Sequence, residues 1–213
     1  MSNLTASQAR SMMIAVATAV INAKEFLCEA DRNIGDGDHG IGMARGCEAA
    51  RKELEASDYE DVYVVFSTVG RAMIRVMGGA SGIIFGLLFY AGSKNMSPRA
   101  AITQKEFSEI FQKGLVEIKA KGQARLGDKT IIDALEPMVG ALTECLSPEV
   151  SLKEMLDRAY RAAEMGKERS KGYIARLGKA KTLGERAIGY PDAGAVSLTL
   201  IAETMKTWAS DHL

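Results

Sequence analysis

Cysteine and histidine are both scarce in this chain, and net charge is absent. The three cysteines, Cys28, Cys47 and Cys145, lie far apart and form no C-x-x-C pair. That spacing argues against a zinc site or a disulfide framework and suits a reducing compartment. The only histidines are His39 and His212, which is next to last. Chain ends tend to fray, so any imidazole chemistry falls to His39. Lys plus Arg and Asp plus Glu each total 27, giving a formal charge of zero. No charge surplus draws the chain to nucleic acid or to an anionic membrane. Repeats, low-complexity tracts and interdomain linkers are missing too. At 213 residues the sequence therefore reads as one domain, 1–213, long enough to bury a core of its own.

Long apolar runs are few. Residues 11–23 form an uncharged stretch resembling the core of a signal peptide, but the helical pattern continues through Phe26 and Leu27 without a break. Residues 76–93 are uncharged over a length that raises a membrane question. This run holds Gly78, Gly79, Gly82, Gly86 and Gly92, so it reads as a loop followed by a buried helix. The expectation is a cytoplasmic protein without a membrane span.

Helix signals run along the whole sequence. Thr5 with Gln8, Thr103 with Glu106 and Ser151 with Glu154 have capping-box spacing, each ahead of an amphipathic run. Phe107, Ile110, Phe111, Leu115 and Ile118 keep i, i+3, i+4 order, as do Val62, Val65, Phe66, Val69, Ala72, Met73 and Val76. Strand evidence is thin: 62–66 and 83–90 have strand-like composition, but the first continues a helical stripe. The second follows Gly82-x-x-x-Gly86, a spacing that lets helices approach closely. Eight helices are predicted, near 5–29, 40–56, 59–77, 82–95, 104–120, 130–146, 152–170 and 194–210. Pro137 is expected to kink the sixth or delay its start.

The glycines concentrate between these helices. Fifteen of the 21 fall in residues 35–46, 78–82, 122–127 and 172–194. Glycine permits positive φ and close backbone approach at an entropic cost. Four connections sharing that cost point to one glycine-rich face meeting a ligand. The most informative stretch is Asp31-Arg-Asn-Ile-Gly-Asp36-Gly-Asp38-His39-Gly40. Three carboxylates within eight residues repel one another unless a cation compensates, and an all-oxygen set suits a hard cation such as Mg2+ or Ca2+. An EF-hand does not fit, because its glycine is misplaced and Cys47 stands where the twelfth-position Glu belongs. The remaining alternative is a solvated acidic turn capping a helix at 40. Mg2+ commonly shares its shell with substrate phosphates, and a helix starting at Gly40 would aim free N–H groups at one. Gly78-Gly79-Ala80-Ser81-Gly82 opens a second helix but matches neither Walker A nor G-x-G-x-x-G. Lys129, Lys179, Lys181 and Arg186, in glycine-rich loops, are available to offset phosphate charge.

Four ordered motifs resemble one known family. They are Asp31-x-x-x-Gly-Asp36-Gly-Asp38-His39-Gly40, Gly78-Gly79-Ala80-Ser81-Gly82-x-x-Phe85-Gly86, Gly127-Asp128-Lys129-Thr130-x-x-Asp133 and Leu183-Gly184-Glu185-Arg186-x-x-Gly189. Together they are similar to the nucleotide-binding L subunits of bacterial dihydroxyacetone kinases. The resemblance implies an all-α fold, an eight-helix antiparallel barrel with the nucleotide at one mouth. It implies that Asp31, Asp36 and Asp38 hold two Mg2+ ions against ADP or ATP. Nucleotide contacts would come from His39, Gly40, Ile41 and Gly42, from Ala80 and Ser81, and from Gly122 and Ile131. Lys179, Asp192, Ala193 and Gly194 would complete the set. None of these is assigned acid–base catalysis, since phosphoryl transfer asks mainly for positioning and electrostatics. The implied partners are a K subunit carrying the short ketose and a phosphohistidine carrier that recharges the bound ADP. Erythrulose as the ketose, exchange of free ATP, and nucleotide-dependent binding to a transcription regulator are the alternatives. Three positions depart from the family pattern. Gly42 stands where asparagine is common, Lys179 where arginine is, and Ala193 where proline is. Asp128, Lys129 and Asp133 are expected to shape their loop.

Overall fold

Local capping sets the helix starts in the computed structural model, which describes residues 3–147 and 149–213. Thr5 opens α1 (Ala6–Asn22) with both bonds of the box, Gln8 N donating to Thr5 Oγ1 and Thr5 N to Gln8 Oε1. Thr103 opens α6 (Gln104–Gly122) in the same reciprocal way with Glu106. Ser151 opens α8 (Leu152–Ser170) by accepting from Glu154 N. Each such bond satisfies one of the N–H groups that a helix start leaves without an internal partner.

Nine α-helices lie among the described residues, one more than predicted, because the expected 5–29 helix breaks. Helix α1 ends at Asn22, and α2 (Lys24–Arg32) departs from it at 57°. Lys24 sits at the bend. The turn lays α2 against the start of α3 (His39–Glu55), where Gly40 touches it so closely that a Cβ would come 2.1 Å from Lys24 O. Helices α4 (Val62–Met77) and α5 (Gly79–Tyr90) take the stretches with strand-like composition, so the helical period decides there. Gly70 and Gly86 let these two helices meet backbone to backbone, with each Cβ position under 3 Å from the other's carbonyl. Helix α7 (Ile132–Glu144) starts later than 130 and carries Pro137 inside it. Helix α9 (Ala193–His212) closes the chain. The only strands described are two residues long, Leu4–Thr5 paired antiparallel with Ala101–Ile102.

The helices pack in an order that returns to its start: α1 on α3, α3 on α4, α4 on α5, α5 on α6, α6 on α7, α7 on α8, α8 on α9 and α9 on α1. Helix α2 stands outside that order, against α3 and α9. One large core fills the interior, with Phe66, Phe107 and Phe111 in mutual contact and Phe89 joined to them through Phe111, at ring-centroid distances of 5.1–6.4 Å. A small second cluster (Ile34, Ala175, Ala180, Ala187 and Ala193) anchors residues 171–192 over the loop after α2. Among the described residues no single helix is long and apolar enough to cross a membrane.

Candidate functional site

The loop between α2 and α3 is organised around Asp31. This buried carboxylate accepts hydrogen bonds through Oδ2 from Gly37 N at 2.9 Å and His39 N at 3.3 Å. It is thus Asp31, and not the N-cap residue Asp38, that satisfies the first free N–H of α3. Gly35 is what allows this, since a Cβ there would lie 2.2 Å from Asp31 Oδ1. The bend that follows uses Gly37 at φ +77°. The outcome is three carboxylate oxygens, one each from Asp31, Asp36 and Asp38, all within 4.8 Å of one another.

Lys179 reaches this cluster from the far side. Its Nζ donates to Asp36 and, at 3.3 Å, to Asp38 Oδ1. The bond to Lys179 holds the Asp36 carboxyl below its ordinary range, and the same bond raises the Lys179 ammonium. Lys179 belongs to a 3-10 segment (Lys179–Ala187) that the sequence does not announce, launched by Gly178 at φ +68°. Placement of that segment rests on the small alanine-rich cluster.

Behind the carboxylates opens a cavity of about 520 Å3. Ten of the twelve expected nucleotide contacts line it (His39, Ile41, Gly42, Ala80, Ser81, Ile131, Lys179, Asp192, Ala193 and Gly194), together with Asp31 and Asp38. Three expected residues lie outside the lining. Gly40 turns toward α2, as its contact with Lys24 O requires. Gly122 sits behind Ile84, and Asp36 stands exposed at the rim. The lining also holds Arg45, Met77, Gly78, Gly79, Ile84 and Phe85. Gly78 and Gly79, at φ +71° and +60°, turn the chain directly into α5, and Ala80 and Ser81 form its first turn. Gly42 has open space where a side chain would project.

His39 is committed to the fold. Its Nε2 lies 2.8 Å from Ser197 Oγ on α9, its ring is tilted against Phe85, and burial lowers its pKa. Lys129 is buried and also committed, donating from Nζ to Ser170 O at 2.6 Å and Tyr190 O at 2.5 Å. Of the four basic residues expected to offset phosphate, Lys129 is therefore occupied, and neither Lys181 nor Arg186 lines the cavity. Asp133 accepts from Gly127 N at 2.6 Å and Thr130 N at 2.7 Å, and Asp128 from Arg125 N at 3.0 Å, so this loop is shaped by its own carboxylates. Asp192 caps α9 through Ala195 N at 2.8 Å, and its burial pushes the carboxyl up to about 7.

An all-α chain that brings three clustered carboxylates, two helix starts and a lysine to one cavity is equipped to hold a small anion through a hard cation. Sequence comparison gives that class a family. Residues 33–207 match the DAK2 domain, and the chain belongs to the DAK2 domain family. It is 32% identical over 187 residues to "PEP-dependent dihydroxyacetone kinase, ADP-binding subunit DhaL" of Escherichia coli (strain K12), covering 88% of this chain and 89% of that one. It is 36% identical over 182 residues to "PTS-dependent dihydroxyacetone kinase, ADP-binding subunit DhaL" of Lactococcus lactis, covering 85% and 86%. A crystal structure of the dihydroxyacetone kinase from C. freundii in complex with AMP-PNP and Mg2+ superposes with a TM-score of 0.73 at 24% identity. That match covers 94% of this chain and 34% of the other, and it speaks to the fold.

Proposed function

We propose that this chain, as a single domain, is the nucleotide-binding subunit of a short-ketose kinase, with ADP or ATP in the cavity and its phosphates at the acidic loop. The observation that carries the reading is the group of three carboxylate oxygens within 4.8 Å, two of the residues (Asp31 and Asp38) lining the same cavity as the Gly78–Ser81 helix start and Asp36 at its rim. Oxygen donors in that number fit Mg2+, which shares its shell with phosphates. We assign Asp31, Asp36 and Asp38 to two such ions. When bound, the ions would neutralise charge on the transferring phosphoryl group.

This chain's own residues then do four things. Asp31 fixes the loop through Gly37 and His39, so its remaining oxygen is presented without rearrangement. Backbone N–H groups are offered at Ala80 and Ser81, in the first turn of α5. At the start of α3, His39 N is held by Asp31 and the Ile41 and Gly42 N–H groups by Asp38 O, so His39, Ile41 and Gly42 contribute contact surface there. Lys179 leaves Asp36 and Asp38 to the metal and turns to phosphate. Ile131, Ala193 and Gly194, with Gly122 behind, shape the wall for the nucleoside, and Asp192 fixes the start of α9. The ketose belongs on a separate K subunit, at the mouth of the helical ring, and a phosphohistidine carrier returns ADP to its charged state. The buried, unpaired cysteines suit the cytoplasm for this work.

The test is direct. The purified protein is titrated calorimetrically with Mg2+ and ADP, and denatured protein is assayed for released ADP. Binding that needs both components, and is abolished in the Asp31→Asn, Asp36→Asn, Asp38→Asn triple variant, is the expected result. Intact binding in that variant overturns the assignment. Protein free of nucleotide that turns over ATP with a K subunit overturns the carrier scheme. Copurification with a transcription regulator, without kinase activity on dihydroxyacetone or erythrulose, overturns the kinase.

A further inference from the structure

Three cations line the cavity among the described residues; Lys179 has a role above and Lys129 is spent on Ser170 O and Tyr190 O, which leaves Arg45. It lies on α3, one turn beyond Gly42 and Ile41, and all three line the same cavity. Helical side chains lean toward the helix N-terminus and cover the preceding turn. Arg45 starts from that face, and its tip crosses to the end of α4, where Nη2 lies 4.0 Å from the place a Gly78 Cβ would take. Gly42 puts nothing in the way, since even an added Cβ would find no atom within 4 Å.

At its tip the guanidinium is half used. Nη2 donates to Met77 O, the last carbonyl of α4, directly before the Gly78–Gly79 turn into α5. No carboxylate among the described residues pairs with Arg45. A guanidinium carries five N–H donors in a rigid fork that matches phosphate geometry. One edge is held by protein, Arg45 makes no other side-chain hydrogen bond among the described residues, and it stands exposed at the cavity wall.

Resting on the nucleotide reading, we propose that Arg45 is a phosphate-binding residue. Its fixed edge locks the Gly78–Gly79 turn, and its free edge takes the phosphate chain from the side opposite the carboxylates. It thereby selects a nucleoside di- or triphosphate over a nucleoside. The closest competing account is a helix cap, in which a basic side chain satisfies the end of α4 and touches nothing else.

Arg45→Gln separates the two accounts, because glutamine keeps an amide donor for Met77 O but loses the charge. Calorimetry with Mg2+-ADP, and ligand-observed NMR with adenosine, are run on the wild type, Arg45→Gln and Arg45→Lys, with melting temperature recorded for each. A charge-assisted hydrogen bond to phosphate predicts about a 10- to 100-fold loss of Mg2+-ADP affinity in Arg45→Gln. Adenosine affinity should stay within about twofold, and Arg45→Lys should recover part of the loss. Wild-type affinity for Mg2+-ADP in Arg45→Gln, or equal losses for ADP and adenosine, overturns the proposal. Should the glutamine variant fail to fold, Arg45→Lys carries the test: unchanged discrimination between ADP and adenosine, beside an ordinary melt, overturns it as well. A wild-type protein that binds neither ligand defeats the nucleotide reading itself, a different outcome from a variant that binds like the wild type.

Discussion

Gly166→Ala is the substitution through which the helix packing can be tested most severely. Gly166 lies in α8 against α7, and a Cβ built there comes 2.0 Å from Asp133 O and 2.9 Å from the Ala134 Cα, well inside the 3.4 Å of ordinary contact. The obstacle is backbone, so no rotamer relieves it. It is also a particular carbonyl. Pro137 has no N–H, so Asp133 O loses the helical donor four residues on and is pushed outward by the proline ring. Gly166 offers that carbonyl a close Cα–H instead of a side chain. Overpacking of this kind costs about 1–3 kcal/mol, and a carbonyl that cannot move aside belongs at the upper end. Gly→Ala inside a helix returns up to about 1 kcal/mol. The net expectation is a loss of about 2 kcal/mol, or a melting temperature lower by about 4–8 °C at this chain length. Gly140→Ala, in α7 with nothing within 4 Å of its Cβ, is the matched control and should gain about 0.5–1 kcal/mol. Urea unfolding at constant m, together with calorimetric melting, reads both. Since the Asp133 carboxylate holds Gly127 N and Thr130 N beside the cavity, Gly166→Ala should also weaken Mg2+-ADP binding a few-fold. If Gly166→Ala is as stable as the wild type, or Gly140→Ala is as damaging, the close-packing account of the α7–α8 pair is wrong.

Two more perturbations probe the loops behind the cavity. Lys129→Met removes the buried ammonium that ties Ser170 O to Tyr190 O and strands both carbonyls, so urea unfolding should report a loss of about 2–4 kcal/mol; less than about 0.5 kcal/mol would mean that water replaces the ammonium without cost. Asp192, facing Lys129 and Asp133, has its carboxyl raised by burial to about 7, against about 3.9 in an unfolded chain. Between these values the native state holds a proton that the unfolded state has lost, so the stabilisation is complete below about pH 4 and disappears as pH rises through about 7. Asp192→Asn keeps an acceptor for Ala195 N and should flatten that slope; stability profiles of the two proteins that run parallel from pH 4 to 7 would refute the burial argument.

How much of this was legible in the sequence depends on how local the cause is. Thr5, Thr103 and Ser151 named their helices because a cap acts within four residues. The clustering of Asp31, Asp36 and Asp38 was legible because three like charges close in sequence need a reason to be close in space. What stayed hidden is set by contacts between distant segments. The break at Ala23 follows from α2 having to cross α3 at Gly40. The 3-10 segment at 179–187 holds its place through Ile34, remote in sequence, together with the nearby Ala175 and Ala193. Lys129 reads both as an available cation and as a residue that shapes its loop; its ammonium has the structural role, and only the partners stayed hidden, two carbonyls 41 and 61 residues away.

Arg45 is the converse case, and it shows what the glycine signal leaves out. Searching glycine-rich loops for cations finds Lys179, because a loop that must bend around a ligand advertises itself through residues that tolerate positive φ. A cation on a regular helix leaves no such mark. Its address comes from helical geometry: position 45 faces the cavity because 41 and 42 do, and its tip crosses to the end of α4. On the proposed reading, the acidic loop, the Gly78 turn and Arg45 would supply three different instruments for one anion, namely a place for a cation, oriented backbone donors and a fixed positive charge. The carboxylates alone would repel a phosphate. Only with a metal or a guanidinium between them does the cavity favour one, so removing the Arg45 charge should make Mg2+-ADP affinity less sensitive to salt while leaving adenosine indifferent.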